Sequence, residues 1–297
     1  MSNGPPRIFD REAYRARLER AAKANGDIFL AQEAAAQLAL RLNAVNRKFE
    51  SALDLYSRER VLPTLKPLAQ TWLRTGLSSD SPSLTADNEA LPFAAESFDL
   101  VTSVLGLHAV NDLPGVLAQI RRVLKPDGLF TGALFGGETL HELRIAFAAA
   151  EESLTGGASP RVSPFADIRD LGGLLQRVGF ALPVADIERT TVQYRELKRL
   201  FSDLRALGET NVLVGRRKSF LSRRMLEAVT QEYKSRFGDF EGRFPATFEI
   251  VYLTGWAPHE SQQKPLQPGS AKSRLADALR TVEQKSGDTV RPPRRTN

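Results

Sequence analysis

The chain has 297 residues, 42% hydrophobic and 26% charged, with a formal net charge of +6. That length makes one large domain or two small ones and buries a full core without staples. There is no cysteine, which excludes disulfides, thiolate metal sites and a cysteine nucleophile, and the histidines His108, His141 and His259 are too scattered to read as a metal site.

Residues 1–9 read as a disordered lead without the apolar stretch of a secretory signal. Asp10, Glu12 and Glu19 are out of place in an acid-poor mitochondrial presequence. A helix is expected from about residue 10 and another over 27–42, so that 10–50 form N-terminal helices. Ser51–Tyr56 is a short buried-strand candidate, and Thr71–Leu77 is a possible second strand. Phe98–Leu105 is nearly continuous in apolar residues, as a strand covered on both faces is. Leu113–Leu124 repeats apolar residues at helical spacing behind Asp112, which can cap it, and Pro114, tolerated in a first turn. Lys125-Pro126-Asp127-Gly128 reads as a stop and turn before a strand at Leu129–Phe135.

Strand, helix, turn and strand within some forty residues form a βαβ unit. Helices are expected at 138–151 and 167–178, strands at 181–187 and 248–256. Residues 196–237 read as a helical insertion broken near Gly208–Gly215. Alternation of this kind predicts a doubly wound α/β sheet over 51–262. Beyond residue 262 the Gln, Lys, Pro, Gly and Ser content predicts a mostly disordered basic tail, with a short helix near Lys272–Val282.

In such sheets ligands bind outside the carboxyl ends of the strands. That edge gathers Asp54-Leu55-Tyr56-Ser57-Arg58-Glu59-Arg60, Ala86-Asp87-Asn88-Glu89, Leu107-His108 and Gly136-Gly137. Asp54 is either a ligand contact or a strand-end residue satisfying turn amides. His108 is the general-base candidate by position, or a hydrogen-bonded pocket residue without a chemical role. Arg58 and Arg60 are either an anion clamp or surface side chains. Gly136 and Gly137 either present amides to an anion ahead of a helix near Glu138 or make a tight turn.

The run LTADNEALPFAAESFDLVTSVLGLHAVNDLPGVLAQIRRVLKPDGLFTGALFGGETLHELR resembles class I S-adenosylmethionine (SAM) methyltransferases. More narrowly, GGETLHELR and GWAPHESQ, with IFDR at 7–10 and the SPF of Ser163–Phe165, resemble the respiratory complex I assembly factor 5 family. That family is kin to the biotin-pathway malonyl-carrier-protein methyltransferases. The resemblance covers roughly residues 7–271. It implies a seven-stranded Rossmann-like methyltransferase sheet with an antiparallel last strand, and SAM lying across the carboxyl ends. By resemblance Asp54 ends the first strand, Asp87 accepts from the adenine amino group with Asn88 beside it, and Leu107 and His108 lie near the methionine and methyl group.

One element departs from the family. Its pattern after the first strand is D-L-G-C-G-x-G, but this chain reads DLYSRER, with no glycine between Gly26 and Gly76. Those glycines permit positive φ and let the backbone approach the cofactor without an intervening Cβ. The stretch from Asp54 to Asp87 is also short for a helix, a strand and a helix, and Asp80 is the one candidate for the ribose.

The resemblance implies a bacterial, cytoplasmic protein acting on a complex I subunit during assembly. The chemistry is methyl transfer or, as ascribed to the mitochondrial branch, arginine hydroxylation. Two alternatives stay open: a non-catalytic assembly chaperone that has lost its cofactor, and a small-molecule methyltransferase of the biotin-pathway type. Residues 195–224 hold nine basic and three acidic side chains. They read as a solvated helical face or as a docking surface for an acidic protein or anionic membrane. No nucleic-acid-binding signature accompanies them.

Overall fold

The computed structural model describes residues 7–76, 84–87, 89–263 and 280–281. Expectations for Asp80, for Asn88, for residues 1–6 and for nearly all of the tail fall outside the described residues. The chain divides into two units, Met1–His259 and Glu260–Asn297.

Seven strands of the described residues form one sheet in the order β3-β2-β1-β4-β5-β7-β6. These are β1 (Phe49–Leu55), β2 (Ala69–Gly76), β3 (Leu84–Thr85), β4 (Phe98–Val104), β5 (Leu124–Phe135), β6 (Ala181–Tyr194) and β7 (Phe244–Trp256). The first five pair in parallel, while β7 runs antiparallel to both β5 and β6. This is the expected sheet, including its reversed last strand. The strands at its centre are buried on both faces because helices cover each side.

On one face lie α1 (Arg11–Ala24), α2 (Phe29–Asn43), α5 (His141–Thr155), α7 (Leu197–Leu207) and α8 (Arg223–Phe237); on the other lie α4 (Leu113–Val123) and α6 (Ile168–Val178). The helical pattern of α4 turns Val116, Leu117, Ile120 and Val123 inward, and the Asp112 carboxylate accepts from the Gly115 amide at 2.9 Å. α2 is not a separate module. Its Ala31, Ala34, Ala35 and Leu38 are fully buried in the core that covers β1, β4 and β5.

Two local expectations change, and the short crossover after β1 is explained. Lys125–Gly128 is a bulge inside β5, where the partner of Phe98 is Leu124 and that of Leu100 is already Leu129. β6 is twice the expected length and pairs with β7 out to Tyr194↔Phe244. Its distal half, ERTTVQY, is polar because it lies at the sheet edge, where charge discourages pairing with other chains. The crossover from β1 to β2 holds a single α-turn, α3 (Leu62–Leu65), between two 3-10 turns. Pro63 and Pro67 prevent anything longer, since each removes an amide that a continuing helix needs.

Candidate functional site

The carboxyl edge of β1 is where the departure from the family pattern has its structural effect. Tyr56 follows β1 with φ +65°, the left-handed conformation that glycine adopts without strain. Its ring is not displaced outward. It is 5% exposed and packs among Leu53, Leu55, Leu91, Leu107 and Val110. Its phenol hydroxyl donates to the Ala86 carbonyl, beyond the end of β3. Burial pushes the phenol well above its usual pKa, and Asp87 adds to the shift, so the hydroxyl stays a donor. Gly106 accommodates this arrangement: a Cβ there would lie 2.8 Å from the Tyr56 Cβ and 2.8 Å from the Leu55 carbonyl oxygen.

Asp54 is fully buried in a row of neighbouring strands, opposite Arg74 on β2 and Thr102 on β4. It accepts from Ser57 Oγ at 2.5 Å and Thr102 Oγ1 at 3.2 Å, and faces Arg74 Nε at 3.7 Å. Burial raises its pKa despite the hydrogen bonds from Ser57 and the charge of Arg74. Ser57 Oγ in turn accepts from the Val104 amide at 2.9 Å. Asp54 therefore ties β1 to β2 and β4, which is its structural reading.

Asp87 lies at the surface with its side chain 57% exposed, bonded at 2.5 Å to Arg11 Nη2. Arg11 also reaches Glu89 at 3.0 Å, and the Glu89 amide donates to Asp87 Oδ1 at 2.9 Å. Leu107 is core, packed in the same cluster as Tyr56. The N-terminal helix α1 thus reaches Asp87 and Glu89 through Arg11 and leaves the Asp87 side chain more than half exposed. Tyr14 of α1 is buried beside Glu209 and Arg58, and burial drives its phenol far above the usual range.

His108 is held from three sides. Its Nε2 is 2.8 Å from Glu209 Oε2, and the Phe135 and Phe165 rings stand edge-on at 4.9 and 5.7 Å. A carboxylate can only accept, so Nε2 carries a proton. Nδ1 has no hydrogen-bond partner, and the side chain is 2% exposed. Arg58 completes this group by donating to the Leu207 carbonyl and pairing with Glu209 at 3.3 Å. Arg60 holds Asn25 and the Gly26 carbonyl. Neither arginine is a free anion clamp. Glu209 and Arg11 escaped the sequence reading because single charged residues outside a motif carry no periodic signal.

Two cavities flank this edge. One of about 250 Å³ is lined by Ser57, Arg58, Glu59, Arg60 and Arg74. The other, about 690 Å³ beyond β5, is lined by Arg7, Gly137, Arg144, Arg161, Phe165 and Leu213. The Gly136-Gly137 turn is not an anion cradle. The Gly136 amide donates to the Glu249 carbonyl at 2.8 Å, the Glu249 carboxylate sits where a Cβ would go, and α5 starts only at His141.

These residues do not fit SAM. The smaller cavity is below the ~300–1,000 Å³ of small-molecule sites. Two of its three guanidinium groups are already engaged, Arg58 with Glu209 and Arg74 with Asp54, and offer no carboxylate to a sulfonium cation. The path toward Asp87 is filled by Tyr56.

The comparisons with known proteins agree with the sheet and narrow the family. The family described as "Methyltransferase domain" matches residues 64–131. The YcgJ protein from Bacillus subtilis is similar in fold, with a TM-score of 0.53 at 13% identity over 75% of this chain and 98% of that one. Malonyl-[acyl-carrier protein] O-methyltransferase from Laribacter hongkongensis is 40% identical over 69% of this chain and 66% of its own length. Arginine-hydroxylase NDUFAF5, mitochondrial, from Danio rerio is 41% identical over 84% of this chain and 81% of its own length. The human protein of that name is 39% identical over 89% and 81%. The chain belongs to the NDUFAF5 family. Within that family this chain carries Tyr56 and Arg58 after β1 and crosses to β2 through a single α-turn.

Proposed function

We propose that this protein acts on a subunit of respiratory complex I during assembly, as the resemblance implies, and does so by holding the subunit without SAM. The family membership supports the setting. One observation carries the cofactor-free reading: the Tyr56 ring bridges from the end of β1 to the Ala86 carbonyl, across the crevice that the fold reserves for the nucleoside. The groove beyond β5, with Arg7, Arg144 and Arg161 in its wall, is the proposed seat for an acidic stretch of the subunit. The proposed location is the cytoplasm of a bacterium, beside the membrane that carries complex I.

Thermal unfolding with and without millimolar SAM tests the reading. No shift is expected. A saturable rise, about 2.7 kcal/mol at a hundredfold excess over Kd, overturns it. A second reading, arginine hydroxylation of the subunit, draws on His108, whose unpartnered Nδ1 lies behind Phe165, a wall of the groove. Mass spectrometry of complex I subunits decides between the two: an arginine carrying one added oxygen only when the protein is present supports hydroxylation.

A further inference from the structure

The basic stretch 195–224 does not behave as one face. On α7 Lys198, Arg199 and Arg205 are exposed, and Arg199 is bonded to the buried Asp203 at 3.1 Å. The loop before α8 is different. Residues 217–224, Arg-Lys-Ser-Phe-Leu-Ser-Arg-Arg, are exposed at every position. Both ends of the loop are fixed. Arg216 donates to the Leu213 carbonyl at 2.8 Å and to Asp10 at 2.9 Å, and Ser222 caps α8 by accepting from the Met225 amide at 3.2 Å. At the tip Phe220 is 102% exposed, with Leu221 beside it, and exposed Ile8 and Val214 are bonded together at the foot.

The charges around the tip make no ion pair within the fold, although the field of Lys218 reaches Asp10. Among the described residues Arg217, Lys218, Arg223 and Arg224 have no ion-pair partner, and no acidic residue occurs between Glu209 and Glu227. Arg223 and Arg224 occupy the first turn of α8, which holds no acidic side chain. Cations there oppose the helix dipole, an arrangement that costs stability until an anion arrives. Four unpaired cations around a bare aromatic ring match an interface that is apolar inside and anionic at its rim.

We propose that residues 216–224 dock this protein on an anionic lipid bilayer, with Phe220 and Leu221 entering the acyl boundary and Arg217, Lys218, Arg223 and Arg224 among the phosphates. An acidic protein surface would satisfy the cations but leaves the free-standing ring without a pocket.

Sedimentation of the full chain with vesicles tests this, using phosphatidylcholine alone or with about one-third phosphatidylglycerol. Binding is expected only to the anionic vesicles and weakens with salt. Phe220→Ser lowers it about tenfold, and Arg217→Glu with Lys218→Glu lowers it more than about tenfold. All three positions are exposed, so the unfolding temperature stays unchanged. In Phe220→Trp the added indole emission shifts to the blue on anionic vesicles. Equal binding to neutral vesicles, unaltered binding in Phe220→Ser, or an unshifted indole overturns the proposal. Absent vesicle binding with charge-dependent capture of polyglutamate overturns it in favour of an acidic protein. None of these readouts involves SAM or a complex I subunit, so the assembly reading stands or falls separately.

Discussion

Tyr56 and Ala86, thirty residues apart, are joined by a phenol-to-carbonyl hydrogen bond that crosses the mouth of the β1–β4 crevice. The bond places an aromatic side chain where this fold ordinarily needs a bare backbone. It makes the residue after β1 part of the hydrophobic core.

Three substitutions at Tyr56 separate the contributions. Tyr56→Phe removes only the hydroxyl and costs about 0.5–1.5 kcal/mol in urea unfolding. Tyr56→Ala empties the ring's place among Leu91, Leu107 and Val110 and costs about 3–5 kcal/mol. Tyr56→Gly is more stable than Tyr56→Ala by about 1 kcal/mol, because only glycine relieves the φ of +65°. Equal stability of those last two variants would show that the residue is not left-handed in solution.

The His108–Glu209–Arg58 group predicts an asymmetry. Glu209→Ala leaves half-buried Arg58 without its carboxylate and costs about 3 kcal/mol. His108→Phe extends the aromatic box of Phe135 and Phe165 while Glu209 keeps Arg58, and costs about 2 kcal/mol or less. Chemical denaturation of both variants checks the order. A larger loss in His108→Phe would mean that the histidine, not the arginine, neutralises Glu209.

Glu151 sets an acid limit. It is buried on α5 and accepts from the Ser159 amide at 2.5 Å, from Ser159 Oγ and from Arg161. Burial works to raise its pKa, but the Ser159 amide and Arg161 prevail and hold it below the ordinary 4.5. A lowered acid binds its proton less readily folded than unfolded. Its stabilisation is therefore complete above the unfolded value and disappears as pH falls through the folded one. The stability gap between the wild type and Glu151→Gln is expected to be full at neutral pH and to close toward about pH 3. Urea midpoints across that range measure it, and a gap independent of pH refutes the assignment.

The sheet was legible because its signals are collective. Phe98–Val104 is apolar on both faces, and α4 repeats at helical spacing behind an Asp112 cap. The outer half of β6 was not legible, since an edge strand with one wet face is as polar as a loop. At the site, the missing glycines marked the turn after β1 as unusual, and Tyr56 takes the left-handed conformation there with its ring buried. Asp87 and His108 were found as positions but not as arrangements. Their partners Arg11 and Glu209 are 76 and 101 residues away, and a lone charge carries no sign of what it will meet.

The crossover between the first two strands decides what the fold can offer a ligand at the end of β1. In a dinucleotide-type fold the helix after the first strand aims its amino-terminal amides at the ligand, and here one α-turn that contains Pro63 and is followed by Pro67 takes its place. Grafting a glycine loop onto residues 54–60 would clear the floor of the crevice and leave it without a wall. A ligand at the end of β1 therefore meets an irregular stretch of chain with Pro63 and Pro67 in it, in place of a helix amino terminus.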